Sequence, residues 1–214
     1  MFSGIIQNQG TVVKKRERNG QIQFAFQLKK NERHLKVGES IAVDGVCLTA
    51  TKVASKYFQV DVIRETLHST TLGKLRLWEQ VNLERSLKLG DRISGHFVTG
   101  HVDGCGQIEK IEKQGRNRIF QIKTPMPIIR FLAIKGSVTM NGISLTVQDV
   151  KSKSFNVALI PHTLQITTMG EKKIGEWVNL EVDLITRYLK MIQRNLKPSS
   201  LGSITLKRLK KEGF

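Results

Sequence analysis

Apolar and polar residues alternate along most of this chain in the manner of β-strands. Segments 22–29 (IQFAFQLK) and 118–124 (RIFQIKT) alternate or run apolar, as strands do. Segments 40–50 (SIAVDGVCLTA) and 137–147 (SVTMNGISLTV) carry Asp-Gly and Asn-Gly at their centres, which are strong signals for a tight turn between two strands. Short strands separated by glycine turns predict an all-β barrel or sandwich.

Helical spacing of apolar residues is sustained only near the C-terminus. The segment 184–196 (LITRYLKMIQRNL) predicts a helix, and its apolar stripe consists of Leu184, Ile185, Tyr188, Leu189, Ile192 and Leu196. Pro198 then ends the helix. The stripe needs a partner, either the protein's own core or a neighbouring subunit. The basic tail 197–214 is expected to carry no chemistry.

The chain contains an internal repeat. Displaced by 97 positions, SIAVDGVCLT (40–49) lies over SVTMNGISLT (137–146), VIRETLHSTTLG (62–73) over LIPHTLQITTMG (159–170), and VNLE (81–84) over VNLE (178–181). One constant displacement serves all three blocks, so the repeat is unlikely to arise by chance. We therefore predict two similar barrels, residues 1–96 and 97–185, followed by the helix and tail, residues 186–214.

The segment GHVDG (100–104) could be a metal site, a catalytic pair or a turn that leads into a strand. In the repeat it corresponds to GIIQN (4–8), where Ile5 stands in place of His101 and Gln7 in place of Asp103. An apolar counterpart favours a shared backbone role at the start of a strand. The spacing of His101, Asp103 and Cys105 matches no common zinc pattern, which argues against a metal.

Two similar barrels that keep the same small polar residues predict two similar binding sites. The CLT and SLT blocks each place two polar groups on one face of a strand and a leucine on the other. Such groups, beside backbone amides, suit a planar polar heterocycle. Taken singly, each hydroxyl could simply bond its own backbone, and Cys47 could be a small buried hydrophobe.

Composition adds the cellular context and one alternative function. The two cysteines, Cys47 and Cys105, fit a reducing compartment, and no signal peptide or membrane-spanning run is evident, so we expect a cytoplasmic protein. The net charge of +17 could attract nucleic acid or a membrane. The basic residues are scattered, however, and are not interleaved with aromatic residues, so neither partner is expected.

Five blocks in order, MFSGIIQ, GESIAVDGVCLT, SGHFVTGHVDG, KGSVTMNGISLTV and LIPHTL, resemble riboflavin synthase of the trimeric alpha-chain type. The resemblance covers residues 1 to about 190. It implies two tandem homologous six-stranded antiparallel Greek-key β-barrels followed by a C-terminal α-helix. It also implies a transferase that needs no cofactor or metal and takes the last step of riboflavin biosynthesis.

The implied reaction consumes two molecules of 6,7-dimethyl-8-ribityllumazine. A four-carbon unit passes from one to the other, which gives riboflavin and 5-amino-6-ribitylamino-uracil. The resemblance implies a homotrimer formed through the C-terminal helix, with each reacting pair between barrels of neighbouring subunits. Lumazine synthase is a further partner that it suggests. Holding both reactants in facing pockets would remove much of the entropic barrier.

The resemblance also implies roles for individual residues. The candidates for catalysis are His101, Cys47, Ser144, Thr146, Ser40 and Asp183, with His101 as the proton carrier and Cys47, Ser144 or Thr146 as nucleophile or relay. For the first pocket the substrate-binding set is Phe2, Gly4, Ile5, Ile6, Cys47, Leu48, Thr49, Asp61, Val62, Ile63, Arg64, Glu65 and Thr66. For the second it is Gly100, His101, Val102, Lys135, Ser144, Leu145, Thr146, Leu159, Ile160, Pro161, His162, Thr163 and Leu164.

Two rival functions are considered. The lumazine-binding antenna proteins of luminous bacteria resemble the same double barrel but do not catalyse, and their second pocket has decayed. Here the second copy keeps GHV, SLT and PHTL, which favours the enzyme. A basic barrel that binds nucleic acid is supported by the net charge alone and would show a strongly salt-dependent affinity.

Overall fold

The structure is a computed structural model that describes residues 1–18, 20–29 and 35–195. They form two closed six-stranded antiparallel barrels and a C-terminal helix, which confirms the predicted fold class. The strands of the first barrel are β1 (Asn8–Arg18), β2 (Gln21–Leu28), β3 (Ser40–Val43), β4 (Val46–Ala54), β5 (Tyr57–Val62) and β6 (Gln80–Arg85). Those of the second barrel are β7 (Gly104–Gln114), β8 (Asn117–Lys123), β9 (Ser137–Met140), β10 (Ile143–Val150), β11 (Ser154–Leu159) and β12 (Trp177–Val182).

Both barrels have the same topology. The strand order is β1-β2-β5-β4-β3-β6 in the first and β7-β8-β11-β10-β9-β12 in the second. In each, three consecutive strands are joined by turns and the last strand returns beside the first of the three, which is a Greek key. The helices are α1 (Arg64–Ser69), α2 (Met126–Ile129), α3 (Pro161–Ile166) and α4 (Leu184–Asn195), and short 3₁₀ turns follow α1 and α3 at Thr71–Lys74 and Thr168–Gly170.

Strand alternation fills each barrel with apolar side chains and leaves the polar ones outside. In β4 the buried residues are Val46, Leu48 and Ala50, while Cys47 and Thr49 between them are less buried. In β10 the same alternation buries Leu145 and leaves Ser144 and Thr146 less buried. The two faces predicted for the CLT and SLT blocks are therefore confirmed. The small polar groups lie on the outer surface of each barrel, so any pocket they line is outside the barrel.

The two Gly turns meet between the barrels. Asp44 and Gly45 have φ of 44° and 79°, and Asn141 and Gly142 have φ of 46° and 79°, as a tight hairpin turn of this class requires. A Cβ on Gly45 would lie 2.6 Å from the backbone nitrogen of Gly142, and a Cβ on Gly142 would lie 2.8 Å from that of Gly45. Only glycine permits this approach, so the repeated glycine serves the contact between barrels as well as the turn.

Buried asparagines join the barrels at the same place. The side-chain amide of Asn82, on β6, donates to the carbonyl of Asn141 (2.9 Å), and the amide of Asn179, on β12, donates to the carbonyl of Asp44 (2.8 Å). Each asparagine also accepts a backbone N–H from the other barrel's 3₁₀ turn, Asn82 from Thr168 and Asn179 from Thr71. Two copies of one motif thus bond reciprocally, and the barrels are held in a single relative orientation.

Helix α4 leaves an apolar surface uncovered. It is described from Leu184 to Asn195, and Leu196, the last residue of the predicted helix, lies with the tail 197–214 outside the described residues. The exposed apolar residues on α4 are Ile185, Tyr188, Leu189, Met191 and Ile192. Within the described residues, no helix is long and apolar enough to cross a membrane.

The contact between the barrels at the Asp44 turn is expected to depend on pH. Its carboxylate accepts the backbone N–H of Asn82 at 2.8 Å, and burial raises its pKa from 3.8 to about 7. Because the pKa is higher in the folded than in the unfolded chain, folding takes up a proton between these pH values. The stabilising contribution of Asp44 is complete below pH 3.8 and is lost as the pH rises through 7.

We expect Asp44→Asn to stabilise the protein at pH 8 by about 4 kcal/mol and to leave its stability at pH 4 nearly unchanged. Asn141 occupies the equivalent place in the second turn and accepts the N–H of Asn179 at 2.7 Å, so an amide satisfies this site. Urea unfolding from pH 4 to pH 9 measures the effect. The matched variant, Asn141→Asp, should lose stability above pH 7, and equal pH slopes for Asp44→Asn and the unsubstituted protein would contradict the assignment.

Candidate functional site

Two equivalent stretches of chain run between the barrels. We call residues 2–6 the N-terminal crossing segment and residues 98–102 the central crossing segment. They pair with each other, because Phe2 donates its N–H to the carbonyl of Val98 (2.7 Å) and Val98 donates to the carbonyl of Phe2 (3.1 Å). Their shared backbone confirms the equivalence of GIIQN and GHVDG, since φ is 78° at Gly4 and 80° at Gly100.

Each crossing segment lies against the barrel of the other copy. Ser144, on β10, donates its N–H to the carbonyl of Gly4 (2.8 Å), and Cys47, on β4, donates to the carbonyl of Gly100 (2.9 Å). Ile6 packs into the core of the second barrel, and Val102 packs against the core of the first. The sequence predicts that each segment lines the pocket of its own barrel, whereas the structure places each segment against the strands of the other barrel. A repeat shows which segments are equivalent, but not which of two similar barrels a segment lies against.

Glycine is required where the crossing segments touch the strands. A Cβ on Gly4 would lie 2.6 Å from the Cβ of Ser144, and a Cβ on Gly100 would lie 2.5 Å from the Cβ of Cys47. A Cβ on Gly95 would lie 2.1 Å from the carbonyl oxygen of Ser3. The glycines of the repeat thus allow a backbone to lie directly on the small residues of the CLT and SLT blocks.

A buried glutamate anchors each crossing segment to its own barrel. Glu84, on β6, accepts the N–H of Ser3 (2.7 Å), the hydroxyl of Ser3 (2.8 Å) and the N–H of Gly4 (3.0 Å). Glu181, on β12, accepts the equivalent groups of Thr99 and Gly100 at 2.6–3.0 Å. Burial raises the pKa of both carboxyls, and these hydrogen bonds oppose that shift. The repeated VNLE block thus supplies both the inter-barrel asparagine and the anchor.

His96 lies between two hydroxyl groups of the second barrel. Its Nδ1 is 2.7 Å from Oγ of Ser144, and its Nε2 is 3.2 Å from Oγ1 of Thr139. The two hydroxyls face each other across neighbouring strands, since Ser144 pairs with Thr139 in register. The histidine comes from the junction between the repeats and is held there by the bond from its own N–H to the carbonyl of Ser3 (3.2 Å).

The imidazole of His96 is expected to be uncharged near neutral pH. Burial lowers the pKa of its imidazole, and the negative charge of Asp183 opposes this. Asp183 also accepts the N–H of Ile185 at 2.9 Å at the beginning of α4. Asp183 thus acts on His96 through its negative charge, and its carboxylate is held at the N-terminus of α4. An uncharged imidazole can either accept or donate a proton.

The surroundings of Cys47 in the first barrel are apolar. Ala42 is its partner in register, in the place that Thr139 has in the second barrel, and the thiol packs against the cluster of Phe2, Ala42 and Val98. Phe2 is fully buried in this cluster. It therefore belongs to the packing behind Cys47 and presents no accessible surface to a ligand ring. The two copies share a backbone frame but differ in the chemistry they offer.

The segment GHVDG proves to be a turn that leads into a strand, with β7 beginning at Gly104. His101 is exposed, in contrast to His96. Asp103 accepts the N–H of Val182 (2.8 Å) and pairs with the guanidinium of Arg187 (2.9 Å), so it joins β12 to α4. Within the described part of the chain, no three His, Cys, Asp or Glu side chains converge on a place that could hold a metal ion.

The other predicted residues divide into exposed and buried positions beside the two strands. Ser40 and Thr49 pair in register on β3 and β4, next to Cys47. Val62 and Leu159 are buried in their barrels, and Leu48 and Leu145 point inward. The exposed members of the sets are Ile5, Thr49, Asp61, Ile63, Arg64, Glu65, Lys135, Thr146, Ile160, Pro161 and His162, while Thr66, Thr163 and Leu164 are half-buried on α1 and α3.

A groove of about 530 Å³ lies where the N-terminal crossing segment meets α3. Its walls include Ile6 and Gln7 from the first copy and His162 and Gln165 from the second. Lys29 stands at its edge, where its Nζ donates to the side chain of Gln9 (2.9 Å). This arrangement brings predicted residues of both copies together in one concave surface, which neither copy forms alone.

His96, Thr139, Glu84 and Glu181 were not among the predicted site residues. The glutamates carried a signal, since the VNLE block repeats unchanged, and His96 lies in the SGHFVTGHVDG block. Thr139 carried none, because its place in the first copy is taken by Ala42. Its importance comes from a contact with a residue more than forty positions away, His96.

Comparison with known proteins identifies the domain that the chain contains twice. The lumazine binding domain matches it twice, over residues 3–86 and 99–183. Crystal structures of LumP complexed with 6,7-dimethyl-8-(1'-D-ribityl) lumazine and with riboflavin share the fold, with TM-scores of 0.76 and 0.78 at 22% and 24% identity. Each alignment covers 85% of this chain and 99% of the LumP chain. The class is thus a tandem lumazine-binding-domain protein.

Relatives found by sequence show which family of this class the chain belongs to. Riboflavin synthases of Actinobacillus pleuropneumoniae and Bacillus subtilis (strain 168) are 39% and 35% identical over the full length of both chains. That of Chlamydia pneumoniae is 44% identical and covers 87% of this chain and 92% of its own. The chain belongs to the riboflavin synthase family.

We expect Gly4→Ala to destabilise the protein by about 3 kcal/mol or more. The new methyl group would clash with Ser144, and alanine would also be strained by the positive φ at this position. Gly38 is the matched control. It has φ of +87° and nothing within 4 Å of an added Cβ, so Gly38→Ala should show only the strain, about 1 kcal/mol. Chemical unfolding of both variants measures the difference, and equal losses would contradict a tight contact at Gly4.

Proposed function

We propose that this protein catalyses the dismutation of 6,7-dimethyl-8-ribityllumazine to riboflavin and 5-amino-6-ribitylamino-uracil. Membership of the riboflavin synthase family over the full chain supports the reaction. The observation that carries the proposal is the exchange of the crossing segments. Two equivalent outer surfaces are each completed by the other copy, which suits a reaction between two identical molecules.

The two substrate pockets, as proposed, follow the exchange. The first combines Cys47 to Thr49 and 61–66 with the central crossing segment at Gly100 to Val102. The second combines Ser144 to Thr146 and 159–164 with the N-terminal crossing segment at Gly4 to Ile6. The barrels at 1–96 and 97–185 are thus the two lumazine-binding domains, although each borrows one wall from the other. The groove between Ile6 and α3 supports the second pocket.

The reaction needs a group that adds to one lumazine and a group that moves the proton of the acidic methyl of the other. In the second pocket His96 and Ser144 form a hydrogen-bonded pair, and the lowered pKa of His96 keeps it uncharged near neutral pH. In the first pocket Cys47 is a thiol in apolar surroundings, and its N–H bonds the carbonyl of Gly100, the residue before His101 on the crossing segment. Proton transfer is therefore assigned to His96 with Ser144. The candidates for the group that adds to the lumazine remain Cys47, Thr146 and His101.

We further propose that the protein forms homotrimers through α4 and acts in the cytoplasm. The exposed apolar face of α4 supports an assembly, because it has no covering element among the described residues. Lys135, which is exposed and has φ of 67°, belongs in this proposal to the second pocket. Association with lumazine synthase would deliver the substrate and is part of the same proposal.

Purified protein mixed with 6,7-dimethyl-8-ribityllumazine, with no metal or nucleotide added, should form one riboflavin for every two lumazines consumed. Riboflavin absorbance and chromatography of both products measure this ratio. Tight binding without product would instead support the antenna-type function. If the protein showed no lumazine binding and formed no product, the proposal would be overturned. A salt-dependent affinity for nucleic acid would then support the nucleic-acid-binding function instead.

In the same assay His96→Ala and Ser144→Ala should lower kcat about 100-fold, because they remove the proton-transfer pair, and should change lumazine affinity much less. Cys47→Ser and His101→Ala should also slow turnover more than they weaken binding. His68, exposed on α1 and bonded to the carbonyl of Arg64, gives the matched control His68→Ala with full activity. Unchanged kcat in His96→Ala would show that the imidazole has no part in the reaction.

Leu189→Glu should dissociate the trimer and abolish turnover, because the charge falls within the apolar face of α4. Ile174 is the matched control, since it is 61% exposed, like Leu189 at 62%, but lies on a turn, so Ile174→Glu should keep both the trimer and the activity. Analytical ultracentrifugation measures the mass, and a trimer that survives Leu189→Glu would place the interface elsewhere.

A further inference from the structure

Thr139 is a buried hydroxyl that the second barrel has and the first lacks. Its side chain is 1% exposed, and it stands opposite Ser144 on β9. In the first barrel the same place opposite Cys47 belongs to Ala42. The strand geometry does not require a hydroxyl here, since alanine serves equally well in the repeat. The difference between the copies therefore concerns the neighbour that only the second copy has, His96.

The hydrogen-bond inventory of this hydroxyl is short. Among the described residues, the sole partner of Thr139 Oγ1 is Nε2 of His96, at 3.2 Å. A hydroxyl has one proton to donate, and a buried O–H without an acceptor costs about 1–3 kcal/mol. The proton of Thr139 is satisfied only if it is donated to Nε2. That nitrogen must then carry a lone pair, because a nitrogen that bears hydrogen cannot accept.

The tautomer of His96 follows from this choice. An uncharged imidazole carries one hydrogen, so if Nε2 accepts, the hydrogen lies on Nδ1. Nδ1 is 2.7 Å from Oγ of Ser144, which then accepts the N–H. The hydroxyl proton of Ser144 is left free, and it is not directed back at the histidine. The chain of donors runs from Thr139 through His96 to Ser144 and ends at the outer surface of β10.

We propose that Thr139 is a positioning residue that fixes His96 in its Nδ1–H tautomer, so that Ser144 presents its hydroxyl proton to the bound lumazine. The proposal rests on the function proposed above. It assigns Ser144 the part of a hydrogen-bond donor and proton relay, rather than of a nucleophile, for which the opposite tautomer would be required. Charge that develops on the lumazine as it reacts meets a donor that is already oriented.

Nitrogen-15 NMR of the full-length protein, labelled at histidine and free of ligand, reads the tautomer directly. The ring signals of His96 are assigned by their loss in His96→Gln. We expect hydrogen on Nδ1 and a lone pair on Nε2 in the unsubstituted protein and in Thr139→Ser, and a shift toward the Nε2–H form in Thr139→Val. Hydrogen on Nε2 in the unsubstituted protein would overturn the proposal.

Steady-state kinetics with 6,7-dimethyl-8-ribityllumazine give the second readout. Thr139→Val should lower kcat about tenfold, the effect of one misdirected hydrogen bond, with little change in KM, and Thr139→Ser should restore it. Thr124 supplies the control, since it is a buried threonine of the second barrel whose Oγ1 has no partner in the described structure, so Thr124→Val should leave kcat and the tautomer unchanged.

The two readouts separate this proposal from the proposed function. An unchanged tautomer and kcat in Thr139→Val would overturn the role of Thr139. A loss of kcat that Thr139→Ser does not restore would also overturn it, because such a loss would show that Thr139 contributes only packing. If the unsubstituted protein produces no riboflavin while the tautomer still responds to Thr139, the positioning of His96 is supported and the proposed reaction is refuted.

Discussion

The reciprocal hydrogen bonds of Asn82 and Asn179 fix the relation between the two barrels, and the remaining features depend on them. Each amide bonds a backbone group at the other barrel's tight turn. These bonds are buried, so breaking them would leave polar groups without water or partner. They also explain why Gly45 and Gly142 are in contact. A Cβ on either glycine would push the turns apart and break the hydrogen bonds from the asparagine amides to the turn carbonyls.

Once the barrels are fixed in this way, the crossing segments have little freedom. Glu84 and Glu181 hold the segments to their own barrels by three donors each, and the small residues Ser144 and Cys47 receive them on the opposite barrel. The proposed pockets therefore lie outside the barrels and at their boundary. A closed barrel whose interior is filled by leucine, valine and phenylalanine has no room for a ligand inside.

The two copies keep a common backbone but have diverged in side-chain chemistry. Thr139, Ser144 and His96 give the second barrel a hydrogen-bonded polar row, while Ala42 and Cys47 give the first an apolar surface with a thiol. A reaction that treats two identical molecules differently needs such an asymmetry. The two copies thus offer matched backbone frames whose side chains differ near one strand pair.

Much of the fold follows from local patterns in the sequence. Alternation along the strands determines which face of β4 or β10 is buried, because side chains on a strand point to opposite sides in turn. The Asp-Gly and Asn-Gly pairs determine the turns, because they tolerate positive φ. The repeat of VNLE and of the glycines at 4 and 100 determines that two copies of one barrel are present.

The sequence by itself thus determined the strands, the turns, the duplication and the family resemblance. The tertiary structure decided which barrel each crossing segment lies against, because similar copies offer similar local signals. It also decided that His96, rather than the exposed His101, meets Ser144, and that Thr139 meets His96. Contacts of this kind join residues far apart in the chain, and they depend on how two finished barrels dock, which local pattern does not encode.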